Sequence, residues 1–165
     1  MGMERDQFIS AMRRVASSVT VVTTDGPAGR HGATVSAFCS VSADPPMVLV
    51  CLNANSKMAE TVKHNRRFNI NILPLDGLDL AARFCGSQDH LVSNRFDNID
   101  TLDAEVPAFP GATVLSCNID QSIPSGSHQI MMGLVTETRE SNAAPLTYFD
   151  GAYHGVSPLA QTLEG

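Results

Sequence analysis

A mainly β chain, arranged as a small antiparallel barrel with about three short helices around it, is predicted by three features of the sequence. Valine-, isoleucine- and threonine-rich runs recur from Ser18 onward, proline, glycine and Asx turns separate them, and no strand–helix–strand alternation repeats. The 165 residues suit one compact domain spanning 1–165, and a hydrophobic content of 43% suffices to bury a core.

In chain order, Asp6 to Ala16 places Phe8, Met12 and Val15 at i, i+4 and i+7, the period of an amphipathic helix that packs as a lid. Ser18 to Thr24 is dense in Val and Thr, Asp25-Gly26-Pro27 supplies a turn, and Ala33 to Ser42 resumes in extended form, which together read as a hairpin. Successive strand side chains face opposite ways, so Thr34, Ser36, Phe38, Ser40 and Ser42 share one face and Val35, Ala37, Cys39 and Val41 the other. Asp44-Pro45-Pro46 ends that strand, and Met47 to Leu52 follows as a strand apolar on both faces, hence central. Asn53 to Ser56 offers caps for a short helix over Lys57 to Asn65, with Met58, Ala59 and Val62 on one side. Phe68 to Leu73 alternates apolar residues with Asn69 and Asn71, and Asp76 to Phe84 reads as a helix capped by Asp76. Gly86 to Pro110 is polar and irregular, long enough for a working loop. Ala112 to Ile119, His128 to Thr138 and Pro145 to Phe149 are strand-like, broken at Ile123-Pro124-Ser125-Gly126 and Ser141-Asn142, so that about six or seven strands are expected.

Composition excludes several classes. Eleven basic residues against seventeen acidic ones, without a basic run, argue against nucleic acid as a partner. The N-terminus is polar and no apolar stretch nears the ~18 residues of a membrane span, so a soluble cytoplasmic protein is expected, with no membrane partner. Cys39, Cys51, Cys85 and Cys117 are widely spaced, with no C-x-x-C pair, so no metal site is expected; three of them sit in apolar strand or helix patterns, where a cysteine reads as a small buried hydrophobe, and the thiols are read as inert. His31, His64, His90 and His154 read as surface residues, and Met131 and Met132 as fillers of a core or subunit contact. Glycines 26, 29 and 32 do not form G-x-G-x-x-G, and a strand follows where a dinucleotide fold needs a helix. Pro124 to His128 lacks the G-x-S-x-G elbow of a serine hydrolase.

Three features bear on chemistry. Thr34, Ser36, Ser40 and Ser42 are either a wet sheet face or a set of donors and acceptors for the polar edge of a flat heterocycle. Asn53, Asn55 and Ser56 precede a helix N-terminus, where free N–H groups favour a phosphate. His128 opens a strand face whose other members are Ile130, Met132 and Leu134, and is either a structural residue or a site residue.

The block from Gly32 to Ser56, GATVSAFCSVSADPPMVLVCLNANS, with MRRVASSVTVVTT before it, resembles the signature of the short-chain flavin reductase family. The resemblance continues through Asn65–Leu73, Leu80–Phe84, Asn94–Phe96, Gly126–His128 and Pro145–Tyr148, and so spans about Phe8 to His154 in order. It implies a mainly β fold, a six- to seven-stranded antiparallel split β-barrel of Greek-key connectivity with peripheral short helices. It further implies an NAD(P)H:flavin oxidoreductase that takes FMN or FAD with NADH or NADPH as hydride donor. The resemblance also implies a homodimer with its sites at the interface, passing reduced flavin to a flavin-dependent monooxygenase. By the same resemblance Thr34, Val35, Ser36 and Ala37 border the flavin ring, and Cys51, Leu52, Asn53, Asn55, Ser56 and Lys57 reach its phosphate. Phe84, Gly86 and Arg95 complete the flavin site, while His128, as the catalytic residue, and Tyr153 address the nicotinamide. The chain departs from the family pattern at Asn94, where aspartate is usual, and at His154, which replaces a basic cluster. Reduction of another acceptor, a corrinoid or ferric chelate, by a retained flavin is the enzymatic alternative; a non-catalytic flavin-binding module is the other.

Overall fold

The computed structural model describes residues 3–159. Seven strands form one antiparallel sheet in the order β3-β2-β6-β7-β8-β5-β4, where β2 is Thr20–Thr24, β3 His31–Val35, β4 Phe38–Ala43, β5 Pro46–Asn53, β6 Arg67–Ile72, β7 Thr113–Ser125 and β8 His128–Arg139. Strands β6, β7 and β8 are antiparallel neighbours in chain order, β7 and β8 as a hairpin and β6 and β7 across a long excursion, and β5 lies beside β8, which is Greek-key connectivity with helix α2 (Lys57–Asn65) in the return from β5 to β6. Consecutive strands β3 and β4 occupy opposite edges, so the sheet has to curl until Ser36 and Ala37 bridge them. Among the described residues no ladder joins β3 to β4, and the barrel is split there.

That seam corrects the expectation of one strand from Ala33 to Ser42. Thr20↔Val35 is the last pair with β2, Phe38↔Val50 the first with β5, and Phe38 N–H bonds back to Ser36 O at 3.0 Å. Side-chain parity continues across the corner while the hydrogen-bonding partner changes, and parity alone does not reveal such a change.

The barrel interior is packed by Val22, Val48, Val50, Leu52, Phe68, Ile70, Cys117 and Met131, with Met58 and Val62 of α2 closing one end. Gly133 lets the Phe68 ring in, since a Cβ there would stand 2.7 Å from Phe68 Cζ. Strand β5 is second from the edge rather than central: Val48, Val50 and Leu52 point inward, whereas Met47, Leu49 and Cys51 stay half-exposed outside. Strands β2 and β6 bury both faces, because helix α3 (Leu78–Phe84) and the loop through Phe109 cover their outer side in a second core of Val21, Leu73, Ala81, Phe84 and Phe109.

Asn69 and Asn71, read as the polar face of β6, are buried under that loop and hold it. Asn69 Nδ2 donates to Val106 O at 2.9 Å, Asn71 Nδ2 to Val21 O at 2.9 Å, and Phe109 N–H donates to Asn71 Oδ1 at 3.1 Å. A covering segment without secondary structure of its own needs partners for its backbone, and two carboxamides supply them.

Three helices lie among the described residues, in line with the expectation of about three. Helix α1 (Arg5–Met12) stops before the expected Ala16 because Arg14 and Val15 N–H groups tighten to i−3 acceptors. Among the described residues it packs as no lid, since none of its side chains is buried: Phe8, Met12 and Val15 remain about half exposed, and Arg13 and Arg14 tether it to Asp150. Helix α2 has the expected bounds, with Ser56 Oγ accepting from Ala59 N–H at 3.1 Å and Arg66 at φ 63° ending it. Helix α3 starts after Gly77, not with an Asp76 cap, because Asp76 lies inside a turn closed by Gly77 N–H to Pro74 O at 2.8 Å. Strand β7 runs through Pro124 to the Gly126-Ser127 turn rather than breaking at Ile123. Its pairing with β6 ends at Asn118, so Pro124 sits on a free edge where proline is tolerated. A second sheet of β1 (Ser17–Ser18), β9 (Thr147–Phe149) and β10 (Ala152–His154) has strands too short to show a period. No helix among the described residues is long and apolar enough to cross a membrane.

Candidate functional site

A cleft of about 830 Å³ opens along the seam. It is walled by β3 and the Ser36-Ala37 corner, the end of β5, the start of α2, the end of α3, and residues 89–95 of the irregular loop, with His128 at the mouth. Of the residues the sequence singles out, Thr34, Val35, Ser36, Ala37, Cys51, Leu52, Asn53, Ser56, Lys57, Phe84, Arg95 and His128 are brought together on this lining. Ser40 and Ser42 are not, because the corner turns the rest of the hydroxyl row away. Asn55 lies in a smaller cleft on the far side of the α2 start, with Lys63 and Gln129. Gly86, at φ +91°, lies behind Arg95, whose Nη2 would be 2.7 Å from a Cβ there. Tyr153 stands on β10 outside the lining, edge-to-face with Tyr148 at 5.3 Å; burial and then Cys85 push its hydroxyl pKa up.

The polar groups fall into two kinds. Some are already committed: Thr34 Oγ1 donates to Ala81 O at 2.8 Å, and the Phe84 ring is fully buried against Phe96 and Phe109 at centroid distances of 4.9 and 5.2 Å. Gly32 permits this, since a Cβ would meet that ring at 2.8 Å. Arg95 donates through Nε and Nη2 to Asp89 at 2.9 and 2.7 Å, and through Nη1 to Gly32 O and Phe84 O at 3.0 Å each. Two of its five N–H groups thus fasten the loop to β3 and α3, two hold Asp89 within the loop, and one is left over. That hydrogen bond is also the main reason the Asp89 carboxyl lies below its usual range.

Others are uncommitted. Among the described residues, Lys57 has no carboxylate at ion-pair distance, and it begins α2 where first-turn N–H groups point outward. His128 pairs with Asn53 across β5 and β8 and is exposed, its Nδ1 2.9 Å from Ser127 Oγ.

His31 corrects the surface reading given to it. It is half-buried and lines the cleft, and burial first, then Arg95 and Lys57, lower its pKa to about 4. Its strand parity with Ala33 and Val35 was the available signal. The thiols are corrected also: Cys117 alone is buried, burial pushing its pKa up to about 12, whereas Cys51 is partly buried and Cys39 and Cys85 are exposed. Among the described residues no group of acidic, histidine and cysteine side chains is placed to hold a metal.

A split antiparallel barrel with a polar cleft on its open seam, and a helix start beside it whose Lys57 has no carboxylate partner among the described residues, is a small β-barrel protein with a ligand-sized cleft. Residues 12–157 match the flavin reductase like domain, and the chain belongs to that family. It is 36% identical over 156 residues to the FMN reductase (NADH) RutF of Serratia proteamaculans, across 93% of this chain and 89% of that protein. The flavin reductase PheA2 superposes with a TM-score of 0.86 at 30% identity, over 94% of this chain and all of the other. The NADH:FAD oxidoreductase SgcE6 of Streptomyces globisporus, solved with NAD and FAD fragments, gives 0.86 at 26% identity over 96% of each chain.

Proposed function

We propose that this single-domain chain is an NAD(P)H:flavin oxidoreductase whose seam cleft takes FMN or FAD and then NADH or NADPH. The observation that carries this reading is Lys57: an unpaired cation at a helix start, at one end of a cleft of the size that holds a flavin nucleotide. The flavin, when bound, supplies a ring that accepts hydride from the nicotinamide. Lys57 and the first-turn N–H groups of α2 hold the phosphate, with Asn53 and Ser56 beside them. The backbone and side chains of Thr34 to Ala37 border the ring and exclude water from its inner edge. Hydride transfer asks for ring stacking and a short distance more than for a protein acid, so His128 serves to orient the nicotinamide at the mouth. Negative charge that grows on the ring is met by N–H groups and hydroxyls fixed beforehand.

The outer face of the barrel supports a homodimer. Val41, Met47, Leu49, Met132 and Leu134 form an apolar strip on β4, β5 and β8, with Val41 44% and Leu134 37% exposed. A second copy seated there would also wall the cleft beside Cys51 and His128. Four free thiols suit the reducing cytoplasm, and the reductase components among its structural relatives support delivery of reduced flavin to a monooxygenase partner.

Purified protein is expected to oxidise NADH or NADPH only when FMN or FAD is present, followed at the nicotinamide absorbance band. His128→Ala should slow turnover several-fold more than it weakens flavin binding. Absence of flavin-dependent oxidation would remove the assignment.

A further inference from the structure

His31 lines the cleft half-buried, on the inward side of β3, and resting on the flavin reading above it acquires a role of its own. The charges that act on it come from two other elements: Lys57 on α2 and Arg95 on the loop are positive, and Asp89 is the opposing carboxylate. Asp89 is already bound twice by Arg95. Arg30, the preceding residue, turns to Asp25 at 2.8 Å and lies over the Phe96 ring, while His90 is exposed beside Asp89. The imidazole therefore sits in a net positive field with no carboxylate free to answer it.

We propose that His31 is a specificity-determining residue that takes a proton from solvent when a phosphate-bearing flavin binds, and so becomes an additional cation facing that phosphate beside Lys57. Burial is the first cause of the ring's neutrality and the two cations the next; a ligand anion placed against Lys57 and Arg95 offsets their part and adds an attraction for the protonated ring. Selection for phosphorylated flavin over the bare ring then strengthens as pH falls.

The sign and size follow from linkage. A group that starts near pKa 4 and returns in the complex to between about 6 and its ordinary value of about 6.5 makes binding about four- to tenfold tighter at pH 5.5 than at pH 7.5. FAD is the suitable probe, because its pyrophosphate does not titrate in this window whereas a phosphate monoester does, near pH ~6.

Fluorescence titration of the wild-type protein and H31Q with FAD and with riboflavin, at both pH values, tests the proposal. Wild type should show the four- to tenfold tightening with FAD and none with riboflavin, and H31Q should lose it. Calorimetry of the wild type in two buffers of different ionisation enthalpy should register proton uptake with FAD only, which does not depend on the variant folding. An unchanged pH slope in H31Q, or an equal slope with riboflavin, overturns the role of His31 and leaves the flavin site standing. No binding of either ligand by the wild type overturns the site reading itself.

Discussion

Replacing Arg95 separates a loop clamp from a ligand contact. Its two bonds to Asp89 join an exposed carboxylate and are worth little, about 0–1 kcal/mol. Its two bonds to Gly32 O and Phe84 O are charge-assisted and part-buried, at about 1.5–3 kcal/mol for a bond of that kind in a mutational series, with the pair not additive. Arg95→Ala is therefore expected to cost about 2–4 kcal/mol in urea unfolding and to speed amide exchange across residues 86–97. Asp89→Asn should cost less than about 1 kcal/mol. Arg95→Lys should recover only part of the loss, because an ammonium lacks the fork that reaches both carbonyls and the carboxylate. Equal losses from Asp89→Asn and Arg95→Ala, or unchanged exchange over 86–97 in Arg95→Ala, would refute the clamp.

Three further outcomes are expected. Asn71→Ala strands Phe109 N–H and Val21 O in a buried place and should destabilise by about 2–4 kcal/mol in the same assay, with native flavin affinity if the remaining fold is intact. His31, depressed to about 4 in the folded state, stays neutral where the unfolded chain takes a proton, so stability should decline as pH falls from about 6.5 to about 4 and level off below; H31Q should flatten that part of the curve in urea titrations. In thiol labelling of native protein Cys85 should react first and Cys117 only on unfolding, while Cys39, on the apolar outer face, should speed up on dilution if the proposed homodimer forms there.

Much of this was legible because the relevant signals were local. The bounds of α2 follow from Ser56 and its apolar side, and the approach of Thr34 to Ala37 toward Asn53 and Lys57 follows from the family resemblance. What escaped depends on partners distant in the chain. The row from Thr34 to Ser42 has unbroken parity, yet its halves bond to different strands. Asn69 and Asn71 look solvated until the loop at Val106 to Phe109 covers them. His31 looks like a turn residue until Lys57 and Arg95, from other elements, face it.

The corner at Ser36 and Ala37 ties the timing of binding competence to the order of assembly. The two hairpins β2–β3 and β4–β5 can form early from neighbouring residues, but they lie at opposite ends of the sheet until β8 docks on β5 and β6 on β2. Those are long-range pairings, the slow ones in a folding chain. The long-range part of the seam, which brings β8 and helix α2 to it, is therefore expected to close last, leaving the cleft incomplete in a partly assembled chain. Ligand present during refolding should accordingly slow unfolding and leave the folding rate unchanged.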